Sequence, residues 1–488
     1  MNRTLILSFI LLILPALFLV GCAAPSAQTP HQNATENASG IQAGSTQTGM
    51  ANQTVPDSEP MENATGAVAN TTSQLPANET GPTGCAARSV DWHYDPPNPV
   101  SGGRSLLVIL WDPHREGHVT PSESEIEAMV FGPAPSVGDY FYNESGGRLE
   151  LRKAGVLGWY DSIKDAEHYR AASDPDDADG DGWTSGHVEK WAEAIRKADK
   201  EFDFSAYDYN HDGVLSEDEL GILIVIPQNS PFGTNRWAEG GQYPYSEPLI
   251  VDGVRIGMIA EWYTGNPPDM GTAAHELSHL YLGTPDMYFW FFQPYAAGSY
   301  SLMDNSYGNS RHDAYNKLRL GWLTPKTING SGCYSIRQAG DGAQGGYGSE
   351  AGDGADALVL PSADGKEFFL IENRQRGEYY DSALPDSGIS VWHVMEDPAV
   401  FGSLEAPEGV DEAMWSQVPP YDWGRRMIRQ IRPTYGPPFD NYKALWTGTD
   451  LNGTPLVLRW HDGSDSRYAI TNISESGPLM SITIAAAP

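Results

Sequence analysis

Two histidines four residues apart, His275 and His279, bracket Glu276 in the stretch "GTAAHELSHLYLGTPDMY", which runs from Gly271 to Tyr288. If the stretch is helical, both imidazoles lie on one face, one turn apart. So placed, they can share one zinc ion at about 2.0–2.1 Å. Glu276 is rotated off that line, beside the first histidine. There a carboxylate can take a proton from a water held by the metal and pass it to the leaving amine of a cleaved peptide. Two structural histidines on an ordinary helix are the bland alternative, and the pattern arises by chance in roughly one or two of a hundred chains this long. The surroundings favour the metal. Gly283 and Pro285 end the helix just past His279, and "SYSLMDNS" puts Met303 in a tight loop, in the position of a Met-turn beneath a metal.

A third protein ligand is then required. No glutamate occurs between Glu276 and Glu350, which leaves Asp286, Asp304 and Asp313 as the nearby acids. Asp286 follows the Gly283 break, where the chain can turn back toward the metal, and is the preferred candidate; His312 is held in reserve.

A second chemistry is written in "DYNHDGVLSEDE". Asp208, Asn210, Asp212, Val214, Ser216 and Glu219 fill positions 1, 3, 5, 7, 9 and 12 of the twelve-residue calcium loop, with Gly213 at the turn. The apolar run "LGILIVIPQ" follows, so a strand leaves the loop. That fits a structural calcium staple rather than a paired sensor. "DDADGDGWTSGHVE" opens the same way with Asp177, Asp179 and Asp181, but position 12 is Val188. A second calcium site and a solvated loop are equally good readings of it. His393, alternating with apolar residues in "VWHV", reads as a structural histidine in a strand.

The elements that must position these groups follow from periodicity. "RSLLVILWD" (104–112) and "GILIVIPQ" read as buried strands. "SESEIEAMVFG" has helical spacing. "SVGDYFYNESGGRLELRKAGVLGWY" reads as a helix, a Gly-Gly break and a strand. "SGHVEKWAEAIRKADKEF" is an amphipathic helix with Val188, Trp191, Ala192 and Ile195 on one face. The zinc helix spans 270–282. Beyond Pro325, runs such as "ALVLPS", "EFFLIENR", "GISVWHV" and "LMSITIA" lie between Gly, Asp and Ser turns and predict a β-rich lobe.

The chain has 488 residues, enough for more than one lobe. Its 64 acidic against 30 basic residues give a net charge of −34, which repels phosphates and excludes nucleic acid as a partner. Arg3 and a short apolar run end in Leu19-Val20-Gly21-Cys22, which looks like the lipobox of prokaryotic lipoproteins. It implies cleavage before Cys22, a lipid on its sulfur, and a membrane partner reached through that anchor. The next segment is poor in large apolar residues and is expected to be a disordered stalk. It carries sequons at Asn33, Asn37, Asn52, Asn63, Asn70 and Asn78. In an exported chain the two remaining cysteines, Cys85 and Cys333, are expected to form a disulfide; both are read as lying in Gly-rich turns.

The ordered set of motifs resembles the immune inhibitor A family of metzincin-type zinc metallopeptidases. "HELSHLYLGTPDMY" is similar to that family's HExxHxxGxPDxY signature, "SLMDNS" with "DAYNKLRLGWLTP" to its Met-turn and following segment, and "FFLIENRQRGEYYDSALPDSGISVWHV" to its C-terminal β region. Three residues, Leu280, Tyr281 and Leu282, separate His279 from Gly283 where the family pattern has two. The resemblance implies a zinc endopeptidase with His275, His279 and Asp286 as zinc ligands, Glu276 as base and Met303 as Met-turn residue.

The organisation expected is a signal peptide (1–22), a stalk (23–86), an α/β (α+β) metzincin-like catalytic lobe with its calcium loop (87–325), and an all-β C-terminal lobe (326–488). The function expected is zinc-dependent hydrolysis of peptide bonds in extracellular proteins or peptides. Its rivals are a catalytically inactive relative and a calcium-dependent surface adhesin. Glu276 argues against the inactive form, since a binder needs no proton acceptor there.

Overall fold

The computed structural model describes residues 92–113, 120–164, 169, 185–227, 238–242, 248–264, 269–287, 297–306, 309–328, 330–340, 354–377, 379–397, 416–418, 426–433 and 443–486. Cys22, the stalk with its sequons, Cys85, Asp177, Asp179 and Asp181 lie outside the described residues. Among the described residues, no helix is long and apolar enough to cross a membrane.

The fold mixes α and β. The elements up to residue 319 are β1 (Gly102–Asp112), α1 (Glu123–Phe131), α2 (Val137–Glu144), β2 (Leu149–Asp161), α3 (Ser185–Ala198), β3 (Val214–Leu215), β4 (Gly221–Ile226), β5 (Ala238–Gln242), β6 (Ile250–Val251), β7 (Val254–Ile256), β8 (Met258–Tyr263), α4 (Met270–Leu282) and α5 (Ala314–Arg319). Then follow β9 (Lys326–Thr327), β10 (Gly332–Arg337), β11 (Ala357–Pro361), β12 (Glu367–Arg374), β13 (Gly388–Met395), β14 (Ser416–Val418), β15 (Arg426–Ile431), β16 (Leu456–Arg459), β17 (Asp465–Ile473) and β18 (Leu479–Ala486).

A five-stranded sheet, ordered β2-β1-β4-β8-β5, carries the first half. Its first four strands are parallel, and β5 runs antiparallel on the edge beside β8. Central strands of such a sheet are covered on both faces, which is why β1 and β4 are continuous apolar runs. Alternation divides their side chains. Leu107, Ile109 and Trp111 face Trp191, Ala192 and Ile195 of α3. Leu106, Val108 and Leu110 face Ala273, Ala274, Leu277 and Leu280 of α4. The β3-β7-β6 ribbon is built on Val214 and Leu215, inside the Asp208–Glu219 loop.

Two further sheets follow among the described residues, β14-β15-β13-β12-β11-β9 and β10-β18-β17-β16. One face of the six-stranded sheet, through Val359, Phe368, Leu370, Trp392 and Val394, joins the same apolar cluster as α4 and α5. The other face, through Leu358, Phe369, Ile371 and Val391, packs on Ile336, Ile470, Ile482 and Ile484 of the four-stranded sheet. The core beneath α4 therefore runs on past residue 325 without a break.

Cys333 is disulfide-bonded, and its partner lies outside the described residues. It does not lie in a turn, as the neighbouring glycines led us to expect. It stands in β10 opposite Thr483 of β18, because Gly332 opens the strand instead of continuing the turn.

Candidate metal centre

The local sequence dictates the shape of α4. Asp269 caps its start, accepting from the Gly271 N–H at 3.1 Å. Gly283 ends it in the left-handed conformation (φ 58°), its N–H donating to His279 O. Leu280 to Leu282 thus simply complete the last turn, and the extra residue before Gly283 is absorbed as helix. Gly271 has a second task. A Cβ there would stand 2.0 Å from Ser306 O, so only glycine lets the loop that carries Met303 lie against the helix.

That turn brings Asp286 back to the histidines. His275 Nε2 and His279 Nε2 are 3.1 Å apart, and Asp286 Oδ1 lies 3.0 Å from the first and 3.3 Å from the second. Three donors held tetrahedrally at about 2.0–2.1 Å around one ion stand about 3.3–3.4 Å apart, so the triangle fits a zinc ion after a shift of a few tenths of an ångström. Two imidazole nitrogens and a carboxylate oxygen also suit zinc chemically. Among the described residues, this is the one group of three His, Cys, Asp or Glu ligand atoms within 4.8 Å of one another.

The far side of each ring is tied down. His275 Nδ1 meets Leu302 O at 3.0 Å, and His279 Nδ1 meets Thr284 O at 2.6 Å. Each carbonyl takes an Nδ1–H and so leaves Nε2 as the lone pair that faces the triangle. Burial alone would raise the Asp286 carboxyl; when the imidazoles also carry a proton on Nε2, His279 and His275 outweigh burial and hold the carboxyl well below the usual carboxylate range. Glu276, 1% exposed, follows His275 on the helix. Met303 is fully buried and accepts from Thr284 Oγ1 through its sulfur at 3.4 Å.

The alternative third ligands are committed elsewhere. His312 packs behind α4, its Nε2 3.2 Å from Ser278 Oγ. That hydroxyl already donates to Ala274 O, so His312 Nε2 must be the donor. Burial pushes its pKa down to about 4. Asp313 caps α5, accepting from the Tyr315 and Asn316 N–H groups and from Ser301 Oγ. Asp304 accepts from the Ala297 and Gly298 N–H groups, and burial raises its carboxyl to about 7.

The Met303 loop is clamped from the C-terminal half, through residues that the sequence did not single out. Arg374, fully buried at the end of β12, donates through Nη1 to Tyr300 O at 2.8 Å and grips Asp381 with Nε and Nη2 at 2.8 and 2.7 Å. Asp381 in turn accepts from the Arg311 N–H at 2.8 Å, and Leu302 N–H donates to Arg311 O at 3.1 Å. Both stems of the loop are so fixed to one ion pair. Glu144 of α2 adds a second tie. It pairs with Arg311 and with Lys317 Nζ at 3.2 Å; burial opposes its charge, yet those two cations bring its carboxyl down to about 2.

In the Asp208–Glu219 loop, Asp208 accepts from the N–H groups of Asp212 and Gly213, Asn210 from Asp212, and Glu219 from Asn210 and Ser216. The ligating side chains are therefore turned inward on their own backbone. Their acidic oxygens do not form a group within 4.8 Å of one another, as the His275–His279–Asp286 atoms do. His393, in β13, is a satisfied structural histidine: Nε2 lies 2.6 Å from Glu367 Oε1 and Nδ1 3.2 Å from Arg429 Nε.

Set beside known proteins, the chain matches no protein-family model and no curated protein.

Proposed function

We propose that the protein is a zinc-dependent endopeptidase of the immune inhibitor A type, cleaving extracellular proteins from a surface position anchored at Cys22. The observation that carries this reading is the triangle of His275 Nε2, His279 Nε2 and Asp286 Oδ1, with both rings oriented by backbone carbonyls. Zinc held there would polarise a peptide carbonyl and make a water acidic enough to attack it. Glu276 takes the proton from that water as its oxygen bonds to the carbonyl carbon. It then delivers the proton to the amide nitrogen as the C–N bond breaks. The β5 edge beside α4 supports an extended peptide as substrate, because a sheet edge offers N–H and C=O groups to a further strand.

The finer architecture belongs to the same reading. A metzincin-like lobe is supported by α4, the left-handed break at Gly283 and the Met303 loop lying against the helix. An all-β second lobe is supported by the described elements after α5, which are all strands. The Asp208–Glu219 loop holds calcium as a staple between α3 and β4.

The test is cleavage of casein by purified protein, with and without a zinc chelator, beside Glu276→Gln. Cleavage that the chelator stops and that falls about 10²–10⁴-fold in Glu276→Gln, with zinc retained, is expected. A wild-type protein that holds one zinc per chain and cuts nothing is a binding module instead.

A further inference from the structure

Each of the three candidate ligands is connected to Met303 by a different bond. His275 is oriented by the carbonyl of Leu302, the residue before it. Asp286 is followed by Met287, whose N–H donates to Met303 O at 2.8 Å. His279 is oriented by the carbonyl of Thr284, and the hydroxyl of that same threonine donates to Met303 Sδ. Thr284 is 1% exposed. The two ring supports thus meet at one side chain. Thr284 carries one carbonyl and bonds the sulfur of the residue adjoining the other. Its backbone is set on both sides, by Gly283 in the left-handed region and by Pro285, which confines the preceding residue to extended conformations. Two bonds then set the distance between this turn and the Met303 loop, Met287 N–H to Met303 O at one end and the Thr284 hydroxyl to the sulfur at the other.

We propose that Thr284 is a positioning residue of the metal centre, whose hydroxyl, through Met303, keeps the Thr284 and Leu302 carbonyls in register so that both Nε2 atoms face Asp286. This rests on the reading that the three residues hold zinc. It makes Met303 a bonded hub for the three ligands, beyond being an apolar floor beneath them.

The experiment is zinc affinity, measured on the full metal-free chain by competition with a chromogenic chelator, together with the melting temperature of the metal-free protein. Thr284→Val keeps the volume and removes the donor. It should weaken zinc binding roughly 3- to 10-fold, less than the about 10- to 100-fold that follows loss of a group bonded directly to a ligand. Thr284→Ser restores the hydroxyl and should return to within about twofold of wild type. Met303→Leu should lose about as much as Thr284→Val, and the double variant no more than either single one. Matched melting temperatures in the valine and serine variants separate positioning from folding; if the valine variant fails to fold, Met303→Leu, which removes the acceptor and keeps the hydroxyl, carries the comparison against wild type. Wild-type affinity in Thr284→Val, serine as weak as valine, or additive losses would overturn the proposal. The underlying reading fails separately: zinc uptake unchanged in His275→Ala sinks both, whereas uptake that needs His275 but ignores Thr284 sinks only this inference.

Discussion

Replacing His393 with glutamine should make the protein less sensitive to acid. His393 is fully buried between β12 and β15, and its two nitrogens have opposite duties. Nε2–H donates to Glu367, while the bare Nδ1 accepts from Nε and Nη2 of Arg429. A second proton on the ring would point at a guanidinium. Burial first, and Arg429 with it, overcome the pull of Glu367 and bring the pKa from 6.5 to about 4. The sign follows. Below 6.5 the unfolded chain binds a proton at this site and the folded chain does not, so stability falls as pH falls, until the folded site titrates near 4. With one pKa unit worth about 1.4 kcal/mol, the loss is about 2 kcal/mol at about pH 5 and approaches about 3 kcal/mol below pH 4. In His393→Gln the amide can still donate to Glu367 and accept from Arg429, and it does not titrate. Urea unfolding followed by tryptophan fluorescence at about pH 7.5 and about pH 5 should show wild type losing about 2 kcal/mol more than the variant. His312 titrates alike in both proteins and cancels. Equal losses in the two would refute the neutral, oppositely bonded histidine described here.

Asp286→Ala should abolish stoichiometric zinc, whereas Asp304→Asn, which keeps an oxygen for the Ala297 and Gly298 N–H groups, should retain it; metal analysis after dialysis decides. Calcium at about 100 times its dissociation constant should stabilise the wild-type protein by about 2.7 kcal/mol, and Glu219→Gln should remove most of that gain without changing the melting temperature in chelator. Arg374→Met should cost about 3–5 kcal/mol of unfolding free energy, because Asp381 and Glu372 stay buried beside it, and adding Asp381→Asn should cost less than the two single losses together.

The helix that carries His275 and His279 was legible in its extent. Its end follows from punctuation, Gly283 and Pro285, and its face from the i, i+4 spacing of the histidines; the cap at its start, Asp269, was not singled out. The return of Asp286 was legible for the same reason, since a left-handed glycine reverses the chain whatever follows. The supports of the site were not. Leu302 and Thr284 act through carbonyl oxygens, which every residue owns, so no side-chain pattern marks them. Arg374 and Asp381 meet the Met303 loop from some seventy positions away, and an arginine near a strand end reads as solvated until its partners are seen. Continuous burial along β12 and β13 reflects cover on both faces, by the α4–α5 layer and by the four-stranded sheet. A sequence seen alone reads it as the alternation of a one-sided lobe.

The Arg374–Asp381 clamp also sets an order of events during synthesis. When residue 325 has been made, both histidines, Glu276 and Asp286 already exist, and Glu144 can hold Arg311 and the His312 N–H, but the loop stems still lack the Arg374–Asp381 pair. The loop can settle only after Asp381 has emerged and the strand that bears Arg374 has found its sheet. On the proposed reading, a nascent chain is therefore a peptidase without a working metal seat. The last support of the seat is thus also the latest in chain order.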